Sequence, residues 1–178
     1  LSPRGMPAVD LGYNVEESLV MLAAYARATG DRNMEDQLLR AWQSHLAFML
    51  PDGAWDNSWG TRHAKWTYWG SRTSEGAQYG LALLSDRDPA FAAAAIRNTM
   101  LMRACTHDGL LHGGPHYRSA GVPPCVHHTF AHAKVLTAVL DHPGLADRLA
   151  DHAPLPRATR DGVLTFSEIA VHLAAPGP

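Results

Sequence analysis

Lysine is nearly missing from this 178-residue sequence: of 15 basic side chains only Lys65 and Lys134 are lysines, and the formal net charge is −2. That balance leaves no basic footprint for a nucleic acid and no polybasic face for a membrane surface, so neither partner is expected. No apolar run approaches the roughly 18 residues of a membrane-spanning helix. The N-terminus, Leu1-Ser2-Pro3-Arg4-Gly5, has no initiator Met and no charged-then-apolar leader, and so reads as part of a longer chain or as a processed product. Strand signals are almost absent, the one candidate being Gly162-Val163-Leu164-Thr165-Phe166. Gly-x-Ser-x-Gly and phosphate-binding Gly loops are missing too. The two cysteines, Cys105 and Cys125, bracket a loop; they are read as two partly buried thiols, with pairing in an oxidising compartment as the alternative. What is present in quantity is apolar surface: a hydrophobic fraction of 46% supplies the core of one domain and excludes disorder as the main state.

Helical periodicity organises most of the chain. Asn14-Val15-Glu16-Glu17 resembles a capping box, and Val15, Leu19, Leu22 and Ala26 follow at helical spacing up to Gly30. A second helix is expected from about Asn33, with Leu38, Leu39, Trp42, Leu46 and Met49 on one face, ending at Pro51. Ser74 is expected to cap a third helix through Leu84. Asp88-Pro89 predicts the start of a fourth, to about Cys105, because Asp caps and Pro suits the first turn. A fifth is expected over 127–141, and a short sixth over 145–152.

Three Asp-Gly pairs, Asp52-Gly53, Asp108-Gly109 and Asp161-Gly162, lie 56 and 53 residues apart. The unit is helix, short turn, helix, Asp-Gly loop. It suits antiparallel helix pairs arranged around an axis, with long loops at one end, although Asp-Gly is also a common turn pair. The expected fold is therefore all-α: helical hairpins forming part of an (α/α) toroid, with a β-strand starting near the C-terminus. Three hairpins make only part of a ring. The open sides require the remainder of a parent chain or a second subunit.

The loops carry the chemistry. Four of the five tryptophans fall within the first long loop, at 55, 59, 66 and 69, beside Asn57, Arg62, His63 and Arg72. Trp55 and Trp66 are expected to pack on helix ends. Trp59 and Trp69 are expected to present indole faces to sugar rings, whose hydroxyls bond to planar polar groups. The second loop holds six of the eleven histidines between 107 and 132, including His112, His116, His127 and His128, next to Tyr117 and Arg118. Such clustering suits proton transfer. A divalent metal on His128 and His132 with His112 or His116 is the lesser alternative, since no Glu accompanies the helical pair; no cofactor is expected.

Helical hairpins ending in Asp-Gly loops, the Asn57-Ser58-Trp59-Gly60-Thr61-Arg62 segment and the His112-Gly113-Gly114-Pro115-His116-Tyr117 segment together resemble the toroidal domain of heparinase II/III-like polysaccharide lyases. The resemblance covers most of 10–141. The Val163–Phe166 stretch is similar to the start of the β-sandwich that follows that toroid. The resemblance implies a toroidal part over 1–158 and the start of a β-domain over 159–178. It also implies β-elimination at a uronic acid of an acidic polysaccharide or oligosaccharide, outside the cytoplasm in the periplasm or beyond. By that pattern Asn57 neutralises the carboxylate, and Tyr117 or His116 moves the proton.

The same roles follow from the chemistry of the reaction. Opening a 4-linked uronide needs a base for a weakly acidic proton, an acid for the leaving oxygen, and donors for the charge that develops. Asn57, Arg62, Arg72 or a histidine can supply the donors. His112, Trp59 and Trp69 complete the expected sugar-binding set. Arg118 is expected to favour a tyrosinate at Tyr117. His127 and His128 begin a helix, whose positive end keeps an imidazole neutral, ready to accept a proton or donate an N–H. A glycoside hydrolase of the helical-hairpin type would need two carboxyl groups instead, from Asp52, Asp56, Glu75 and Asp108; Asp52 and Asp108 have turn-forming roles beside Gly. A non-catalytic carbohydrate-binding fragment is the third reading.

Overall fold

The structure is a computed structural model, and it describes residues 9–56, 59, 76–124, 126–150 and 152–176. It is mainly helical with a small strand pair at the C-terminal end, as expected. Helix α1 (Leu11–Tyr13), a wide turn over Asn14–Ser18 and α2 (Leu19–Thr29) form one continuous stretch. Its cap is Asp10, whose carboxylate accepts the Tyr13 N–H at 3.1 Å. The expected cap, Asn14, lies inside the helical stretch, and its side-chain amide meets His45 Nε2 at 3.3 Å. Gly30 closes α2 in the left-handed conformation, at φ 69°.

Asp31 caps α3 (Arg32–Leu46), which stops short of Pro51 because the chain from Phe48 turns into a hairpin. Helix α4 spans Ala77–Leu83; the expected cap, Ser74, lies outside the described residues. Helix α5 (Pro89–Cys105) starts as the sequence predicts, with the Asp88 carboxylate accepting the Ala90 N–H at 2.9 Å. Strands β1 (Thr106–His107) and β2 (Leu110–Leu111) pair about Asp108-Gly109, ahead of α6 (Val126–Asp141). The sixth helix expected over 145–152 is a single tight turn, Ala146–Arg148. After α7 (Pro156–Thr159), β3 (Asp161–Phe166) and β4 (Val171–Pro176) form an antiparallel pair. The third Asp-Gly pair thus opens the strand expected over 162–166.

The helices make a two-layered arc. Helix α4 packs on α2 to one side and α6 to the other, while α3 and α5 lie behind their hairpin partners α2 and α4. Trp42, Leu46, Leu81, Leu84 and Phe91 are fully buried between the layers, and Leu155 of the C-terminal segment joins the same core. No helix among the described residues is long and apolar enough to cross a membrane.

The short turns of the two hairpins are tied together by charge. The Glu35 carboxylate, 2% exposed at the start of α3, meets Arg27 from the end of α2 at 3.3 Å and Arg87 from the α4–α5 turn at 2.7 Å. Arg32 closes on it at 3.1 Å. Arg27 also pairs with Asp86, and Arg87 with Asp36, whose carboxyl is held below its ordinary range by that guanidinium. A buried carboxylate is tolerable only with such partners. Because both short turns meet at Glu35, the opposite ends of α3 and α5, where the Asp-Gly hairpins begin, face the same way.

Replacing Arg27 and Arg87 together by Met leaves Glu35 buried with only the exposed Arg32. The expected loss is about 3–5 kcal/mol in urea unfolding. Glu35→Gln should cost less, since both arginines reach water. His45 gives a pH test. Burial pushes its pKa below the ordinary 6.5, against the opposing hydrogen bond to the Ala41 carbonyl. The unfolded chain then binds more protons, so stability is full above 6.5 and falls as pH drops below it. His45→Gln should flatten that slope in urea midpoints measured across the window.

Candidate active site

The first long loop leaves from a tight hairpin. Leu50 N–H donates to the Ala54 carbonyl at 2.8 Å, the Asp52 carboxylate accepts the Ala54 N–H at 3.0 Å, and Met49 bridges Trp55. Gly53 sits at the apex with φ 85°, and a Cβ there would lie 2.5 Å from the Arg97 carbonyl carbon of α5. Only glycine meets both conditions. Asn98 donates from Nδ2 to the Gly53 carbonyl at 2.7 Å, and Gln78 of α4 donates in turn to Asn98 Oδ1. A buried polar relay thereby runs from α4 through α5 to the hairpin.

The second long loop leaves from the β1–β2 hairpin. Its Leu111 N–H donates to Thr129 Oγ1 of α6 at 2.9 Å. Ala54 from the first hairpin and Leu111 from the second share one apolar cluster with Leu101, Met102 and Cys105. Both loops therefore start at the C-terminal half of α5, side by side.

From there the histidine-rich segment folds into a series of turns. Gly113 lies beneath the Tyr117 ring, where a Cβ would come within 2.9 Å of the ring edge. Val122 N–H donates to the Tyr117 carbonyl at 2.9 Å, and Ala120 N–H to the His116 carbonyl at 2.9 Å. Tyr117 is half-buried and His116 beside it is exposed. Burial raises the Tyr117 phenol above its ordinary 10.0. This corrects the expected electrostatics: Arg118 does not favour a tyrosinate, because it extends toward Asp108 at 3.9 Å with both groups exposed. Tyr117 accordingly keeps its proton at neutral pH and is suited to donate it.

The other expected residues divide. His112 is buried, with Nδ1 3.3 Å from the Val122 carbonyl and its ring edge-on to His107 at 5.4 Å. It braces the turn on which Tyr117 rests. Trp55 is buried, as expected. Trp59 stacks on Phe48 at 4.6 Å, with its indole nitrogen buried, so one of its faces is occupied by protein. His127 and His128 fall in the first turn of α6, as expected, but their side chains lie outside the described residues. Asn57, Arg62, Trp66, Trp69, Arg72, Glu75 and Cys125 lie outside them as well. His132 is buried in the wall of a cleft of about 390 Å³ between α5 and α6. Among the described residues no three His, Cys, Asp or Glu side chains come together as a metal set.

Two contacts of this region have no local sequence signal. Asn98 is an unremarkable polar position inside a helix, and Arg157 reaches Asp56 Oδ2 at 2.7 Å across 101 residues. The relay partner of a buried Asn can be suspected from its helical face; the Arg157 pairing cannot.

Residues 1–158 match the family model for the ulvan lyase N-terminal domain. The chain is also 52% identical over 177 residues, 99% of its length, to a protein of Formosa agariphila named broad-specificity ulvan lyase. It spans 28% of that relative's length. No solved structure matches it significantly. With a family model covering most of its length and such a relative, the chain belongs to the ulvan lyase N-terminal domain family.

Proposed function

We propose that this domain is the N-terminal part of a polysaccharide lyase that cleaves ulvan by β-elimination at a uronic acid residue. The observation that carries the reading is the 52% identity, across nearly the whole chain, to a broad-specificity ulvan lyase. The turn chemistry supports it. Tyr117, protonated through its burial and seated on Gly113, is the acid for the leaving oxygen. The base is a histidine: His116, exposed beside it, or His127 or His128 at the start of α6, where the helix end favours a neutral ring. Asn57, which cannot relay protons, neutralises the substrate carboxylate as a hydrogen-bond donor. Arg62, Trp69 and Arg72 hold the sugar, with the part of Trp59 that stays exposed.

Asp52 and Asp56, the first loop's candidates for a hydrolytic pair, are engaged in structure, one in the hairpin turn and one with Arg157. That favours elimination over hydrolysis. The chemistry proceeds through side chains, without a cofactor; a divalent metal at the histidines is the lesser alternative. The two-layered arc is part of an (α/α) toroid like that of the heparinase II/III-like lyases, with 1–158 in the toroid and 159–178 beginning a β-domain. A further part of a longer chain, or a second subunit, completes the ring. An enzyme with this substrate works in the periplasm or outside the cell.

Incubation with ulvan should produce absorbance from a new C=C bond conjugated to the carboxylate. Asn57→Ala and Tyr117→Phe should each lower turnover by about 10²–10⁴-fold while leaving the unfolding midpoint almost unchanged. Near-normal turnover in both would remove this site. The sign of the Tyr117 shift gives a second expectation. Its loss of activity through deprotonation belongs above pH 10.0, so the wild-type profile should show no alkaline loss from this residue near neutral pH.

A further inference from the structure

We propose that Arg157, which nothing in the sequence places at the site, is a positioning residue that fixes Asp56, the residue before Asn57 in sequence. This inference rests on the reading of Asn57 given above. Asp56, the residue before Asn57 in sequence, is held directly by the C-terminal segment, and Trp59, two residues after Asn57, is linked to that segment only through Phe48. Asp56 is fixed twice: its N–H donates to the Phe48 carbonyl at 2.9 Å, and its carboxylate accepts from Arg157 Nη1 at 2.7 Å. Both side chains of that pair are largely shielded from water, 20% and 18% exposed.

Trp59 is held in the same direction by an aromatic chain. Its ring packs on Phe48 at 4.6 Å, and Phe48 packs on Phe166 of β3 at 4.9 Å. Arg157 in α7 and Phe166 at the end of β3 are nine residues apart in sequence; the first meets Asp56 directly, and the second meets Phe48, on which Trp59 packs. The strand pair is therefore coupled, through Phe166 and Phe48, to the chain segment that leads to Asp56.

The charge pair is suited to aim rather than to stabilise. A single partly exposed ion pair contributes little to global stability. Small displacements of a group that must meet a substrate atom, however, cost turnover steeply, about 10²-fold for an ångström. Losing Arg157 should therefore move kcat while the fold stays intact. Its guanidinium geometry also matters, since an ammonium keeps the charge but not the fork.

The test has two arms. Hydrogen exchange is followed by NMR in the 178-residue chain, comparing wild type with Arg157→Gln and Asp56→Asn. The Asp56 amide should exchange at least about tenfold faster in both variants, through loosening of its bond to Phe48, while amides of Leu101 and Met102 in α5 stay protected. In the shortest form that cleaves ulvan, Arg157→Gln should lower kcat by about 10–100-fold with KM within about twofold, and Arg157→Lys should recover part of the loss. Unchanged exchange at Asp56 overturns the proposal. So does faster exchange with unchanged kcat, and so does faster exchange throughout α5, which would make Arg157 a stability residue. Absence of any unsaturated product from wild type would refute the lyase reading itself, and the exchange arm would still decide whether Arg157 holds Asp56.

Discussion

The contact between Gly53 and the backbone of α5 is the constraint on which the arrangement of the loops depends. A main-chain carbonyl taken by Asn98, with no Cβ in between, sets the first hairpin directly against the helix from whose end the second hairpin springs. Any side chain at Gly53 would push the hairpin off Arg97 and separate Ala54 from the cluster it shares with Leu111. The Glu35 cluster imposes the matching condition at the other end of the helices. There the two short turns are gathered by arginines around one buried carboxylate. Charge fixes one end of the arc and a glycine contact the other, and the long loops have only one side on which to emerge.

Those constraints set two hairpins whose Asp-Gly pairs lie 56 residues apart in sequence against one helix. Each is a rigid base for the segment that follows it, which is the general way in which loop residues are aimed by a scaffold. Within the second loop the Tyr117 phenol rests on Gly113, and the turn beneath it is braced by His112, so the ring is shielded but not sealed.

Much of this was legible in the sequence wherever the cause is local. Gly30 and Asp88-Pro89 mark helix ends because capping is settled within three or four residues. Asn14 misled for the same reason: it has the chemistry of a cap, but its partner is His45, 31 residues away. The Asp-Gly spacing marked two helix-to-hairpin junctions correctly, while the third pair opens β3. Strand β4 was invisible because Val171–Pro176 alternates weakly and contains a proline. In the candidate site, the clustering of His, Tyr and Trp was legible. The direction of the Tyr117 shift was not, since it depends on burial and on Arg118 turning to Asp108. The Arg157–Asp56 pair is a tertiary fact with no sequence signature at all.

The proposed reaction breaks the C4–O bond of a uronide rather than the C1–O bond of its neighbour. The most direct measurement is to cleave ulvan in ¹⁸O-labelled water and weigh the products at early times. Elimination leaves the glycosidic oxygen on the new reducing end, so the account predicts unlabelled ends together with an unsaturated partner fragment. Label at each new reducing end, with no unsaturation, would show that water had attacked the anomeric carbon and would contradict it.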